Sequence, residues 1–216
     1  MDFLDPNISD YAENHTSPES IILADLNRDT YTNVLIPRML SGHMQGRILS
    51  MFSKMTRPTT ILEVGTYTGY SALCLAEGLQ PNGKLITIDI NEELEDRIRK
   101  YFDQSPFAQQ IELQIGNAVE IIPTISTPID LAFIDADKEN HAVYYDMIIE
   151  RMPSGGVIIA DNVLWSGKVL DKNQLEKDEE TKALHLFNEK VNADDRVENV
   201  LMPVRDGLMV IRKKQI

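Results

Sequence analysis

Two short apolar runs in the second half of the chain each end in carboxylate. Ile129 to Ile134 runs into Asp135 and Asp137, and Val157 to Ala160 runs into Asp161 and Asn162. Continuous apolar runs of this length are the pattern of parallel strands buried on both faces. In an open α/β sheet, ligands bind beyond the carboxyl ends of the strands. Neighbouring parallel strands would therefore bring Asp135, Asp161 and Asn162 into one crevice. Hard oxygen ligands with no His or Cys beside them suit Mg²⁺, Ca²⁺ or Mn²⁺ better than zinc. Without a cation, such a cluster repels itself. An Asp at a strand end also serves as the N-cap of the next helix, and for Asp137 alone both readings stand. Capping asks for one short polar residue per helix, so the convergent set of Asp135, Asp161 and Asn162 points to a cation.

A second stretch carries binding chemistry. Ile61 to Val64, Gly65-Thr66-Tyr67-Thr68-Gly69 and Tyr70-Ser71 read as a strand, a tight turn and a helix start. The dinucleotide fingerprint G-x-G-x-x-G needs its second glycine so that a pyrophosphate can approach the backbone. Counted from Gly65, that position is Tyr67, and an aromatic there blocks the approach. A ligand without phosphates is still admitted. Glu63 adds a negative charge that suits a cationic ligand such as S-adenosyl-L-methionine, which carries a sulfonium and an ammonium. Asp89 closes the next strand in I-T-I-D-I, where an acid accepts the hydroxyls of a ribose. Gly65 and Gly69 alone fit a plain tight turn equally well; Glu63, Gly65 and Asp89 in register favour the cofactor.

The elements that must position these residues follow from periodicity. From Thr59 onward strands alternate with helices: strands at 60–65, 84–89, 111–115, 129–135 and 156–161, helices near 69–79, 92–103, 117–122 and 139–150. That order implies a parallel sheet with right-handed crossovers. After an acidic, surface-like stretch at 171–182, a helix runs to about Val191. Strands at 197–203 and 207–212 then close the chain as a hairpin, with Asp206-Gly207 as the turn signal. Upstream, residues 1–18 are polar and broken by Pro6 and Pro18. Ser17-Pro18-Glu19-Ser20 reads as a helix start, with Ile21, Ile22, Leu26 and Tyr31 as its apolar face, and Pro37 ends or bends that element. Residues 39–43 read as a loop. Gln45 to Lys54 read as a helix with Ile48, Leu49, Phe52 and Met55 inward. The expectation is a single domain over residues 1–216, with a helical segment at 1–55 covering the site and an α/β core at 56–216.

Composition excludes several classes of function. The net charge of −13 repels a nucleic acid backbone, and no run of Lys or Arg offers a local patch. Hydrophobic residues make up 43%, enough for a sizeable core. Cys74 is the only cysteine, so no intramolecular disulfide forms and a reducing cytoplasm fits. Cys74 itself lies in an apolar helical pattern and reads as core. The acidic, polar N-terminus does not resemble a signal peptide, and no run approaches transmembrane length.

The motifs L-E-V-G-T-Y-T-G-Y-S, T-I-D-I-N, F-I-D-A-D-K and I-I-A-D-N-V-L-W-S-G resemble, in order and spacing, the cation-dependent O-methyltransferases of the caffeoyl-coenzyme A and catechol type. The resemblance covers roughly residues 35–212. It implies a Rossmann-like class I methyltransferase fold: a seven-stranded, mostly parallel sheet with a reversed last strand and helices on both faces. It also implies S-adenosyl-L-methionine as donor, a divalent cation, a hydroxylated aromatic acceptor and a homodimer. By position, the cation ligands would be Asp135, Asp161 and Asn162. The cofactor contacts would be Ser41, Glu63, Gly65, Thr66, Ser71, Asp89, Ala118 and Asp137, with Asp137 facing the methionine ammonium. Lys138 matches the general base of catechol-methylating relatives, although a lysine at a helix start is also an ordinary solvated residue. Trp165 and Ser166 fall in the loop lining the acceptor pocket, Trp165 as an aromatic to stack on the acceptor. Residues 1–34 depart from the family pattern, which leaves the acceptor open.

Two other classes fit parts of the pattern. A nucleotide-dependent oxidoreductase shares the sheet but meets Tyr67. A non-catalytic cofactor-binding module has no need of three costly ligands. Isothermal titration separates the first from a methyltransferase: S-adenosyl-L-methionine or its demethylated product should bind, and NAD should not. Asp89→Ala should weaken the cofactor by about 1.5–3 kcal/mol per lost charge-assisted hydrogen bond.

Overall fold

The computed structural model describes residues 5–215. Residues 1–4 and 216, at the ends of the expected domain, lie outside the described residues. The buried runs become strands: β1 (Thr60–Val64), β2 (Lys84–Asp89), β3 (Ile111–Ile115), β4 (Leu131–Ile134) and β5 (Val157–Ala160) pair in parallel. β6 (Val197–Met202) and β7 (Leu208–Lys213) pair antiparallel, and β7 runs antiparallel to β5. One seven-stranded sheet results, in the order β3-β2-β1-β4-β5-β7-β6, with a reversed closing strand as the resemblance implies. The order reverses beside β1, between β1 and β4. In parallel sheets such a switch point leaves a crevice at the strand ends.

Side chains alternate across the strands, so the sheet builds a core on each face. Leu62, Ala132, Ile134 and Ile158 pack with α7 (His141–Ile149) and α9 (Glu179–Ala193). Ile61, Leu131, Phe133 and Ile159 pack with α2 (Ile21–Asn33), α3 (Gly42–Thr56), α4 (Tyr70–Ala76) and α5 (Glu95–Gln104). All seven residues of α4 are buried, Cys74 among them, and burial pushes its thiol up to about 12. That agrees with a core cysteine. Helices α3 and α4 touch closely: a Cβ on Gly46 would come within 2.7 Å of the Tyr70 ring and 2.8 Å of Cys74 Sγ.

The N-terminal third differs most from the sequence-based expectation. A short helix α1 (Pro6–Asn14) forms in the stretch expected to be irregular, with Pro6 at its first turn and Asp5 capping Asn7 N–H at 2.8 Å. It buries no residue, which is why hydrophobic periodicity did not signal it. The N-cap of α2 is Ser20, not Ser17, and its buried face is Leu23, Leu26 and Thr30, whereas Ile21 is 87% exposed. The buried face of α3 includes the polar Gln45, Ser50 and Ser53, while Met55 faces outward. The helix expected at 117–122 is a single turn, α6 (Ala118–Ile121), followed by a 3-10 turn. In the acidic stretch, α8 (Lys172–Lys177) forms behind the cap Asp171. Among the described residues no helix is long and apolar enough to cross a membrane.

The polar side of α3 meets an acid at the end of α4. Glu77 accepts from Arg47 at 2.7 Å, Ser50 at 2.7 Å and Lys54 at 2.6 Å. Burial would raise the Glu77 carboxyl, but these hydrogen bonds outweigh it and hold the group near about 2. A carboxyl depressed in the fold contributes stability that is complete above its unfolded value of 4.5 and lost as pH falls towards 2. Thermal unfolding should therefore show a drop in Tm below pH 4.5 that Glu77→Gln makes shallower, at the cost of a lower Tm at pH 7. An unchanged acid limb in the variant would refute the assignment.

Candidate active site

The turn after β1 is built around a glycine. Gly65 has φ +101°, and a Cβ there would lie 2.1 Å from the Asp135 carbonyl oxygen, so no other residue lets β1 and β4 end this close together. The next two amides, Thr66 N–H and Tyr67 N–H, donate to one oxygen of Asp89 at 3.0 and 2.7 Å. Asp89 at the end of β2 therefore braces the turn and faces the cleft together. Tyr67 takes a left-handed φ of 51° and donates its hydroxyl to the carbonyls of Leu35 and Ile36, at 3.1 and 3.3 Å. This draws the α2–α3 connection over the turn.

One cleft of about 1590 Å³ is lined by Ser41, Gly65, Thr66, Ser71, Asp89, Ala118, Asp135, Asp137, Lys138, Asp161, Asn162, Trp165 and Ser166. Every residue expected to bind cofactor, cation or acceptor thus meets there, except Glu63. Glu63 is 0% exposed beneath the turn, where it accepts from Thr87 Oγ1 at 2.5 Å and leaves Oε1 without a partner. Burial, with the Asp135 and Asp89 charges adding to it, pushes its carboxyl up to about 8. The expectation of a Glu63 negative charge on the cleft wall is corrected accordingly. In this structure Glu63 lies beneath the cleft and not on its wall, because its side chain points towards Thr87 and not out of the strand end.

The two acids at the ends of β4 and β5 stand side by side. Ile134 and Ala160 are register partners, and Asp161 N–H donates to the Ile134 carbonyl at 2.9 Å. Loss of solvation and the neighbouring Asp161 carboxylate push Asp135 up to about 7, with Lys138 opposing them. Lys138 Nζ donates to Asp135 Oδ1 at 3.1 Å and is only 8% exposed. The ordinary reading of Lys138 as a solvated helix-start lysine is thereby overturned. Asp161 Oδ1 accepts Asn162 N–H at 2.7 Å, and Oδ2 accepts Gln45 Nε2 at 2.6 Å. Asn162 holds a left-handed φ of 61°. Among the described residues no three His, Cys, Asp or Glu side chains gather as a metal site; the expected set is two carboxylates and one amide. Two carboxylates whose mutual repulsion raises one of them, with Asn162 lining the same cleft, fit a hard divalent cation by the chemistry of the donor set.

Asp137 accepts from the Tyr144 hydroxyl at 2.6 Å and from the Asn140 amide. Trp165 is half-buried in the loop after β5. Lys138 Nζ lies 5.9 Å and Lys168 Nζ 5.5 Å from its ring centre, and its indole N–H has no partner. Ser166 is exposed at the rim. His43 bonds the Ser17 carbonyl at 2.8 Å and takes no part in the cleft.

Four residues at the site escaped the sequence reading. Tyr144 lies seven positions after Asp137 on the following helix, a spacing that could have found it. His141, fully buried, spans the Asp137 and Asp161 carbonyls at 3.1 and 3.2 Å. Burial, together with the Lys138 charge, holds its ring down at about 4, so at neutral pH it is uncharged and donates its one N–H to one of these two carbonyls. Gln45 and Arg205 come from opposite ends of the chain, and nothing local announces them.

A glycine-turned β1 end, an acid closing β2, and acids closing β4 and β5 in a sheet with a reversed last strand define a class I methyltransferase scaffold. The chain matches the family described as O-methyltransferase over residues 13–214 and belongs to that family. Catechol O-methyltransferase from Niastella koreensis is 32% identical over 171 residues, covering 77% of this chain and 76% of that enzyme. Rice tricin synthase 2 is 31% identical over 81% of this chain, which spans 63% of that enzyme's length. The S-adenosylhomocysteine-bound methyltransferase PaMTH1 of Podospora anserina superposes with a TM-score of 0.88 at 26% identity, covering 97% of this chain and 94% of that one.

The raised Glu63 gives a test of the buried floor. A carboxyl raised in the fold costs stability as pH climbs from its unfolded value of 4.5 through 8. Asp135 acts in the same direction through about 7. Wild-type Tm should decline between about pH 4.5 and 8, and Glu63→Gln, an uncharged near-isostere, should flatten the upper part of that decline. A variant curve parallel to wild type would contradict the assignment.

Proposed function

We propose that this protein transfers the methyl group of S-adenosyl-L-methionine to one hydroxyl of a catechol-like small aromatic molecule with the help of a divalent cation, Mg²⁺ by preference. The observation that carries the reading is the gathering of Asp135, Lys138, Asp161 and Asn162 beside the glycine turn in one cleft. The match to O-methyltransferases and the catechol-methylating relative support it.

The donor supplies an electrophilic methyl carbon on a sulfonium. The cation would be held by Asp135, Asp161 and Asn162 and supplies charge that acidifies and orients a hydroxyl. The chain's own residues do the rest. Thr66, Ser71, Asp89 and Ala118 line the donor side of the cleft, and Asp137, oriented by Tyr144, faces the amino end of the donor. Trp165 offers a flat apolar face to the acceptor ring. Lys138 is the base of this reading, taking the hydroxyl proton at Nζ as the oxygen–carbon bond forms and the carbon–sulfur bond breaks. Holding both reactants in line contributes up to about 7–11 kcal/mol to the fall in barrier.

We further infer a homodimer, supported by exposed Met51 and Met55 on the outward side of α3, and a cytoplasmic site of action, supported by the single buried thiol. Light scattering that shows only monomer at micromolar concentration would remove the dimer.

The deciding experiment compares a catechol with its matching monophenol, each with and without EDTA. The catechol should be monomethylated, the monophenol should react poorly, and EDTA should abolish turnover until Mg²⁺ or Mn²⁺ is restored. Lys138→Ala should lower kcat by about 10²–10⁴-fold. Asp135→Ala should lose activity and keep the fold. Equal rates in all four reactions would rule out both the chelate and the cation.

A further inference from the structure

Gln45 and Arg205 form a polar chain that ends on Asp161. The Gln45 side chain is 1% exposed. Its Nε2 donates to Asp161 Oδ2 at 2.6 Å, and its Oε1 accepts from Arg205 Nη1 at 3.1 Å. These neighbours leave the amide one orientation. Turned over, it would set its oxygen against a carboxylate and its N–H groups against a guanidinium. With Asn162 N–H on Oδ1, the amide fixes the plane of the Asp161 carboxylate from both sides.

The same Arg205 nitrogen also donates to the carbonyls of Leu40, at 3.0 Å, and Ser41. Leu40 and Ser41 line the cleft and lead directly into α3, which carries Gln45 one helical turn on. Arg205 itself sits in the β6–β7 connection at a φ of 49°, a backbone state that disfavours any side chain but glycine. The strain is offset by the three acceptors its guanidinium reaches.

We propose that Arg205 and Gln45 are positioning residues that hold the Asp161 carboxylate for the cation and tie it to the Leu40–Ser41 wall of the cleft. Cation and methyl donor then each tighten the binding of the other. The inference rests on the reading of Asp161 as a cation ligand given above. A donor that pins the Leu40–Ser41 wall pins the guanidinium against Gln45, and Gln45 against Asp161. By linkage the effect runs equally in the other direction. Partners behind a metal ligand are worth about 10–100-fold in metal affinity.

Charge alone predicts the opposite sign for Arg205. A guanidinium near two carboxylates repels an incoming cation, so a bystander arginine, once removed, would let the cation bind more tightly. The test is Mn²⁺ binding to the full chain, read by electron paramagnetic resonance with and without S-adenosylhomocysteine, with thermal melts reporting the fold. In the wild type, S-adenosylhomocysteine should tighten Mn²⁺ several-fold. Gln45→Leu should weaken Mn²⁺ about 10–100-fold and abolish that enhancement. Arg205→Met should also weaken Mn²⁺ in spite of the lost positive charge, and Arg205→Lys should recover part of the affinity. Gln45→Asn, an amide too short to reach both partners, repeats the test should another variant not fold. Unchanged or tighter Mn²⁺ binding in folded Gln45→Leu and Arg205→Met, or a wild type whose Mn²⁺ affinity ignores S-adenosylhomocysteine, overturns the proposal and leaves the cation site standing. A wild type that binds no Mn²⁺ overturns both.

Discussion

Two carboxylates at the ends of adjacent parallel strands are held closer than their charges favour, and much of the site is organised around that repulsion. Parallel pairing of β4 and β5 aligns Ile134 with Ala160, so Asp135 and Asp161 emerge at one level. Burial then strengthens their interaction, because a low dielectric screens charge poorly. The surrounding groups answer it one by one. Lys138 sits on Asp135, Asn162 N–H and Gln45 sit on Asp161, and Arg205 stands behind Gln45. This much positive and hydrogen-bonding character is directed at two acids in the cleft of a member of the O-methyltransferase family.

The N-terminal helices supply more than a lid. Helix α3 is polar where it meets the sheet end and the α4 terminus, and apolar where Leu49 enters the core. Its Gln45 reaches Asp161, while Arg47, Ser50 and Lys54 gather around Glu77. On the neighbouring helix, the Thr30 hydroxyl meets Thr68 in the glycine turn at 3.2 Å, and Arg97 of α5 pairs with Asp29. The glycine turn, the strand-end acids and the N-terminal segment are thus one connected polar layer above the sheet.

Backbone strain concentrates in the same layer. Tyr67, Asn162, Trp165, Ser166 and Arg205 all adopt positive φ without being glycine. Each costs free energy that the surrounding contacts must offset, and such residues cluster at ligand sites. Here the compensation is visible. Tyr67 bonds the Leu35 and Ile36 carbonyls, Ser166 N–H donates to Asp206, and Arg205 reaches the α3 entrance. Trp165 lines the cleft with its indole N–H buried and unpartnered.

Local patterns in the sequence were enough to determine the parallel strands, the closing hairpin, the glycine turn and the acids at the strand ends. Burial on both faces leaves an uninterrupted apolar run, and a turn needing φ > 0 leaves a glycine. They also grouped Asp135, Asp161 and Asn162, since all three lie within two residues of a strand end; Lys138 was picked out by the family resemblance. Tertiary structure alone decided how those groups are paired and charged. Glu63 lies in the same short motif as Gly65, yet the upward push on its carboxyl follows from which face of the sheet it points to and how little solvent reaches it. Lys138 is buried rather than solvated because α9 and the Trp165 loop close over it. Helix α1, with no buried face, carried no periodic signal. Gln45 and Arg205 are separated by 160 positions, and their meeting beside Asp161 exists only once β7 has returned the chain to the edge of β5. Hydrogen bonds between residues so far apart leave no spacing to read, because the distance that matters is set by the packing of the sheet and not by the order of the chain.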